Sequence, residues 1–212
     1  MTRSLFARAN TDWMRYHDKF TNTTAGVLRL QASWGGNLGS DSDTTVAGTS
    51  SGDLNFTAAD VWGVTIENSS RNPAGPADDA PVGYVLGNRS LIGVNQNNFG
   101  TPFSNGQTNI FFTYEFDLNP GETGGLVNFV YRGLEENRTG PLGQNPTTGT
   151  EIALAIATVN ALSLNRDFTG MSESDIAGLK NFEVPEPTAL VLWSLGVGSV
   201  VIRRKIRGRR SA

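Results

Sequence analysis

The chain has no cysteine and one histidine among its 212 residues. Without cysteine there are no disulfides, no thiolate metal sites and no cysteine nucleophile. His17 is the sole imidazole, so a histidine metal cluster is excluded, and any serine triad has one candidate base. Charge is sparse at 17% and unevenly placed. Six of the 17 lysines and arginines stand in residues 203–210 and all 20 acids precede them, so residues 1–202 carry a net −9 beneath an overall −3. A body this acidic is a poor partner for nucleic acid, which selects basic surface. Long hydrophobic runs are missing too, except for residues 188–202. What is plentiful is glycine, at 25 residues, with much Asn, Ser and Thr, a composition closer to all-β secreted proteins than to helical cytosolic enzymes.

The end of the chain has three parts in fixed order: Pro185, Glu186 and Pro187, an uncharged run over 188–202, and a basic end with Arg203, Arg204, Lys205, Arg207, Arg209 and Arg210. The prolines fix φ and bias their preceding residues towards extended backbone, leaving a stiff motif that another protein can read. The apolar run suits a single membrane helix, and the basic cluster suits the cytoplasmic side. Fifteen helical residues reach only about 22 Å against a hydrocarbon core of about 30 Å, and by length alone a core helix is the alternative. Snorkelling of the basic side chains extends the span. A solvated basic tail that binds nucleic acid or acidic lipid is the remaining alternative.

This tail resembles the PEP-CTERM sorting signal of Gram-negative bacteria, the tag read by the membrane protease exosortase. The resemblance implies residues 184–187 as the sorting motif, 188–202 as a transmembrane anchor and 203–212 as the stop and orientation signal. It implies a transient precursor in the inner membrane, cut near the motif, then delivery to the outer surface or the extracellular matrix. Exosortase, membrane lipid and exopolysaccharide are the implied partners. Such a tag acts after export, yet residues 1–24 hold no apolar stretch of signal-peptide length. Residues 1–10 are therefore expected to be a truncated or misassigned N-terminus.

Residues 11–183 read as a mostly β, sandwich-like domain with one or two short helices near its C-terminal end. Residues 11–21 alternate weakly, with Trp13, Arg15, His17 and Lys19 on the more polar side, and with residues 27–32 they suggest a hairpin. Further strands are expected at 44–47, 61–67 and within 83–94. Ile110, Phe112, Tyr114, Phe116 and Leu118 alternate with more polar residues, and Val127, Phe129 and Tyr131 share a face after the turn at Asn119-Pro120-Gly121. Strand, turn and strand predict a second hairpin. Residues 151–162 carry Ile152, Ile156 and Val159 at helical spacing, with strand alternation as the alternative. Ser172, three residues before Asp175, suits a helix start, and the domain should close near Phe182. Landmarks such as Thr21-Asn22-Thr23, Thr49-Ser50-Ser51-Gly52-Asp53, Trp62, Pro120-Gly121-Glu122-Thr123 and Asn181-Phe182 resemble a recurring β-rich module of secreted bacterial proteins. That resemblance implies no known activity.

Chemistry-bearing residues are few. Asp41, Asp43 and Asp53 offer hard oxygens to calcium, though the fixed glycine and distal glutamate of a calcium loop are missing. No other cofactor is expected. Glu115 and Asp117 share a strand face at a spacing that suits glycoside hydrolysis, and Asp78-Asp79 and Glu135-Glu136 are other carboxylate pairs. Solvated strand and loop charges explain them equally. Trp34 and Trp62 are candidate sugar platforms. The expected function is non-enzymatic, an exported surface or matrix protein. The alternatives are a carbohydrate-binding module or a secreted hydrolase.

Overall fold

The computed structural model describes residues 1–38, 44–67, 80–96, 103–133 and 149–183. They form two antiparallel sheets and two helices. The strands are β1 (Thr2–Ala7), β2 (Trp13–Thr21), β3 (Leu28–Asn37), β4 (Thr44–Thr49), β5 (Trp62–Glu67), β6 (Val82–Val85), β7 (Leu91–Asn95), β8 (Asn109–Leu118) and β9 (Thr123–Arg132). Helix α1 spans Thr150–Leu164 and α2 spans Glu173–Ala177. Six strands pair in the order β1-β2-β9-β6-β5-β4, and three in the order β3-β8-β7.

Period-2 alternation divides the core into two clusters. On β9, Val127, Phe129 and Tyr131 face one way, joining Trp13, Trp62, Val64 and Val85 beneath α1. Leu126 belongs to the other cluster, with Tyr84 and Leu86 against Ile110, Phe112, Tyr114, Phe116 and Leu118 of β8. The rings of Tyr84 and Phe112 meet between the sheets at 5.1 Å. The inward face expected for β8 is therefore fully buried, and β9 is covered on both faces.

The helical spacing over 151–162 prevails over strand alternation. Ile152, Ala155, Val159 and Leu162 form the buried stripe of α1. Burial of each branched side chain is worth about 1.5–3 kcal/mol, so packing rather than propensity holds this helix. Gly48 sits at the β4 bulge, where a Cβ would meet the outer carbons of the Ile156 side chain at 2.9–3.0 Å, so the helix lies close to this point of the sheet. Helix α2 starts as expected, with Ser172 Oγ accepting from Asp175 N at 3.1 Å.

Both expected hairpins are corrected. β2 belongs to the large sheet, where it pairs with β1 and β9, whereas β3 pairs with β8 in the small one. β8 and β9 likewise lie in different sheets. Each pair is an arch that crosses between layers, and the two arches lie side by side. Asn22 ties them together. Its N–H donates to Glu122 O at 2.9 Å, its carbonyl accepts from Gly121 N at 2.9 Å, and its Nδ2 donates to Leu118 O at 2.9 Å. Hairpin and arch have the same alternation, so periodicity cannot separate them. The buried amide that turns the chain out of its sheet does.

Two other expectations change. The β-domain begins before residue 11, because β1 pairs with β2 from Thr2↔Lys19 to Ala7↔Met14. The more polar face of β2 is not a solvent face. Arg15 and His17 are only 5% and 4% exposed, covered by the segment that joins α1 to α2.

Candidate functional site

One end of the space between the sheets remains open. There the C-terminal ends of β3 and β9 meet the N-terminal ends of β6 and β8 around a cleft of about 250 Å³. Tyr16, Trp34, Asn37, Val82, Ile110 and Val130 contribute to its walls. The indole of Trp34 is half-buried. It stacks on Phe112 at 5.7 Å and 20°, and meets the edge of Tyr16 at 5.3 Å. These contacts lock the ring in place, and Gly36 leaves open space beside it where a Cβ would touch nothing. A fixed, partly exposed indole next to a phenol is what stacking on an apolar ring face requires. Trp62, the other candidate platform, is 8% exposed and belongs to the core beneath α1.

The carboxylate pair of β8 lies elsewhere. Glu115 alternates out of phase with the buried Tyr114 and Phe116, on the outer face of the small sheet. Its carboxylate accepts from Arg29 and Gln31 across the β3–β8 pairing. The Arg29 hydrogen bond holds the Glu115 pKa below the usual carboxylate range. Asp117 is exposed on the same face. Neither of them lines the cleft beside Trp34. The pairs Asp78-Asp79 and Glu135-Glu136 lie outside the described residues.

Asp53, the described member of the calcium set, is used in a local turn. Its Oδ1 accepts from Ser51 Oγ at 2.8 Å and Asn55 N at 2.9 Å. Asp41 and Asp43 lie outside the described residues. Among the described residues no three His, Asp or Glu side chains gather as metal ligands.

Gly48-Thr49-Ser50-Ser51-Gly52 carries Gly-x-Ser-x-Gly spacing, a hydrolase signal absent from the expectations above. Its surroundings are those of a turn. Ser50 Oγ donates to Asp60 Oδ1 at 3.1 Å and accepts from Val61 N at 2.9 Å. Asp60 is 1% exposed and also accepts from Ser51 N and Thr57 N, both at 3.0 Å. Ser50 follows β4 at one edge of the large sheet, and His17 sits on β2 near the other. The single available base is thus not brought to this serine.

Asn181 was legible as a landmark but not as a structural keystone. Its side chain is completely buried. Oδ1 accepts from Val127 N at 3.0 Å, and Nδ2 donates to Val127 O at 2.6 Å and Leu86 O at 2.7 Å. Phe182 beside it is in the core, 1% exposed. The sorting motif Pro185, Glu186, Pro187, the apolar run 188–202 and the cations Arg203, Arg204, Lys205, Arg207, Arg209 and Arg210 lie outside the described residues. Among the described residues no helix is long and apolar enough to cross a membrane.

A chain of this architecture belongs, at the level of class, with mostly β proteins built from two antiparallel sheets. No protein-family model and no curated protein matches it.

Proposed function

We propose that this protein is an exported surface or matrix component of a Gram-negative bacterium, sorted and processed by exosortase, with a β-sandwich-like body that is not an enzyme. One observation carries the reading: Pro185, Glu186 and Pro187, an uncharged run over 188–202 and six cations within 203–210 follow one another without interruption. The apolar run is the transient anchor in membrane lipid. The cations hold the C-terminus on the cytoplasmic side. The position of the body supports this. Among the described residues the last buried one is Phe182, so cleavage near residue 187 leaves every described core residue in the mature protein. Mass spectrometry of the mature C-terminus tests the proposal. A terminus near residue 187 is expected, and an intact Ala212 on a protein dissolved in the cytosol overturns it.

The cleft beside Trp34 favours a second reading, a carbohydrate-binding module of the exopolysaccharide matrix. Trp34→Ala removes the platform and is expected to abolish glycan-array binding. Retained binding in that variant removes this cleft from consideration.

A further inference from the structure

The fold grips the chain up to residue 183. Asn181 is completely buried, Phe182 is 1% exposed, and Glu183 N donates to Asn88 Oδ1 at 3.0 Å. The uncharged run begins at residue 188, five residue steps further on. Fully extended, five residues span at most about 17–18 Å. The polar layer of one leaflet takes up about 5–8 Å of that reach. What remains is about 10 Å, comparable to the Debye length of about 8 Å at physiological salt. With residues 188–202 in lipid, the point where the chain leaves the body therefore lies within electrostatic range of the headgroups.

The geometry says which part of the body this is. A Cβ at Gly133, just beyond β9, would meet Glu151 Oε2 at 3.2 Å, so α1 begins at the C-terminal end of β9. That is the end that holds the Trp34 cleft. The 15 residues of α1 then run for about 22 Å and finish at Leu164. Beyond it, Arg166 Cζ lies over the Phe182 ring at 4.6 Å, and the ring of Phe168 meets Phe182 at 6.3 Å. The amides of Asn88 and Arg89 both donate to Asn181 O, at 2.8 and 3.3 Å. Glu183 thus leaves the body on the helix side of the large sheet, at the end of α1 remote from Trp34.

The chemistry of this corner differs from the rest of the body. Residues 1–202 carry a net −9. Here Arg166 is half-buried and interacts with Glu183, and Arg89 is exposed with no ion pair among the described residues. Arg89 is the surplus charge. Leu164 beside Arg166 is 71% exposed. A free cation next to an exposed apolar side chain suits the boundary between anionic headgroups and acyl chains.

We propose that in the anchored precursor this corner lies on the lipid surface, with Arg89 against anionic headgroups, Leu164 at their boundary and the Trp34 cleft turned away from the membrane. The proposal rests on the reading of residues 188–202 as an anchor.

The lack of cysteine allows single labels without background. Asn165→Cys and Thr150→Cys place a fluorophore at the C-terminal and N-terminal ends of α1 in the full chain. Each is reconstituted in phosphatidylethanolamine–phosphatidylglycerol vesicles that carry a headgroup quencher. Strong quenching at position 165 and weak quenching at position 150 are expected. Arg89→Gln should lower the ratio of docked to undocked body by about fivefold. Equal quenching at both positions, in a chain that floats with the vesicles, overturns the proposal and leaves the anchor standing. Asymmetry that Arg89→Gln leaves unchanged overturns it too, and assigns the contact to the short tether alone. Asymmetry that needs co-reconstituted exosortase overturns it in favour of docking on the protease. A chain that stays in the aqueous phase overturns both the proposal and the anchor.

Discussion

Replacing Asn181 with alanine should remove a large share of the stability of the fold. The register of β6 with β9 runs from Val82↔Arg132 to Val85↔Phe129, so the next position on that edge of β9 is Val127. In an antiparallel ladder the N–H and C=O of one residue point to the same edge. β6 has already turned away at Gly87, whose φ is +98°. The Asn181 carboxamide takes the vacated place and bonds both groups of Val127, as a strand residue would. Asn181→Ala leaves both without these partners in a dry core, whereas Leu86 O retains Tyr114 Oη at 3.2 Å. Two orphaned backbone groups at about 1–3 kcal/mol each amount to about 2–6 kcal/mol. Domains are typically stable by about 5–15 kcal/mol, so the loss is substantial. At about 2–4 °C per kcal/mol, the melting temperature should fall by at least about 4 °C. Urea and thermal unfolding followed by circular dichroism measure this directly. Asn181→Asp should not rescue, because it sets a carboxylate against two carbonyl oxygens. A loss below about 1 kcal/mol in the alanine variant refutes the account of Asn181 as a surrogate strand residue.

Further outcomes follow from the same geometry. Gly87→Ala should destabilise by more than about 1 kcal/mol, because the left-handed φ is strained for alanine and its Cβ would strike the Asn181 carbonyl; denaturant midpoints check it. His17 is held neutral by burial, so the unfolded chain binds its proton more readily than the native one. Its contribution is complete above the ordinary histidine pKa of about 6.5 and is lost as pH falls through the lower native value. Melting temperatures should therefore decline with acidification in that window, and His17→Gln should flatten the decline. Asp175 adds a separate acid limb. Its hydrogen bond from Lys19 lowers its pKa, so that stabilisation is present above the ordinary aspartate pKa and disappears as pH falls through the lowered one. Lys19→Gln should shrink that acid limb in the same melts.

Much of the architecture was legible because period 2 and period 3.6 record burial directly. Ile110, Phe112, Tyr114, Phe116 and Leu118 announce a face, and Ile152, Ile156 and Val159 announce a helix. Partner choice is another matter. The residues that decide it, Asn22 and Asn181, look like turn residues in sequence, and only the buried carbonyls around them reveal their role. β1 was illegible because an exposed edge strand has no buried face to betray it. Arg15 and His17 misled for the opposite reason, since alternation marks them as polar and cannot say that residues 167–169 will cover them. The aromatic cleft was half visible through Trp34, although nothing local distinguished it from Trp62.

The position of β9 has a temporal consequence. It lies between β2 and β6, and among the described residues no other strand joins the early strands to the β4–β6 meander within that sheet. A polypeptide growing from its N-terminus therefore holds two unjoined fragments until residue 123 and beyond have emerged, and Asn181 arrives later still. Such long sequence separations slow compaction. Under the proposed export, a pore that accepts only threadable polypeptide would meet a chain whose own wiring defers closure.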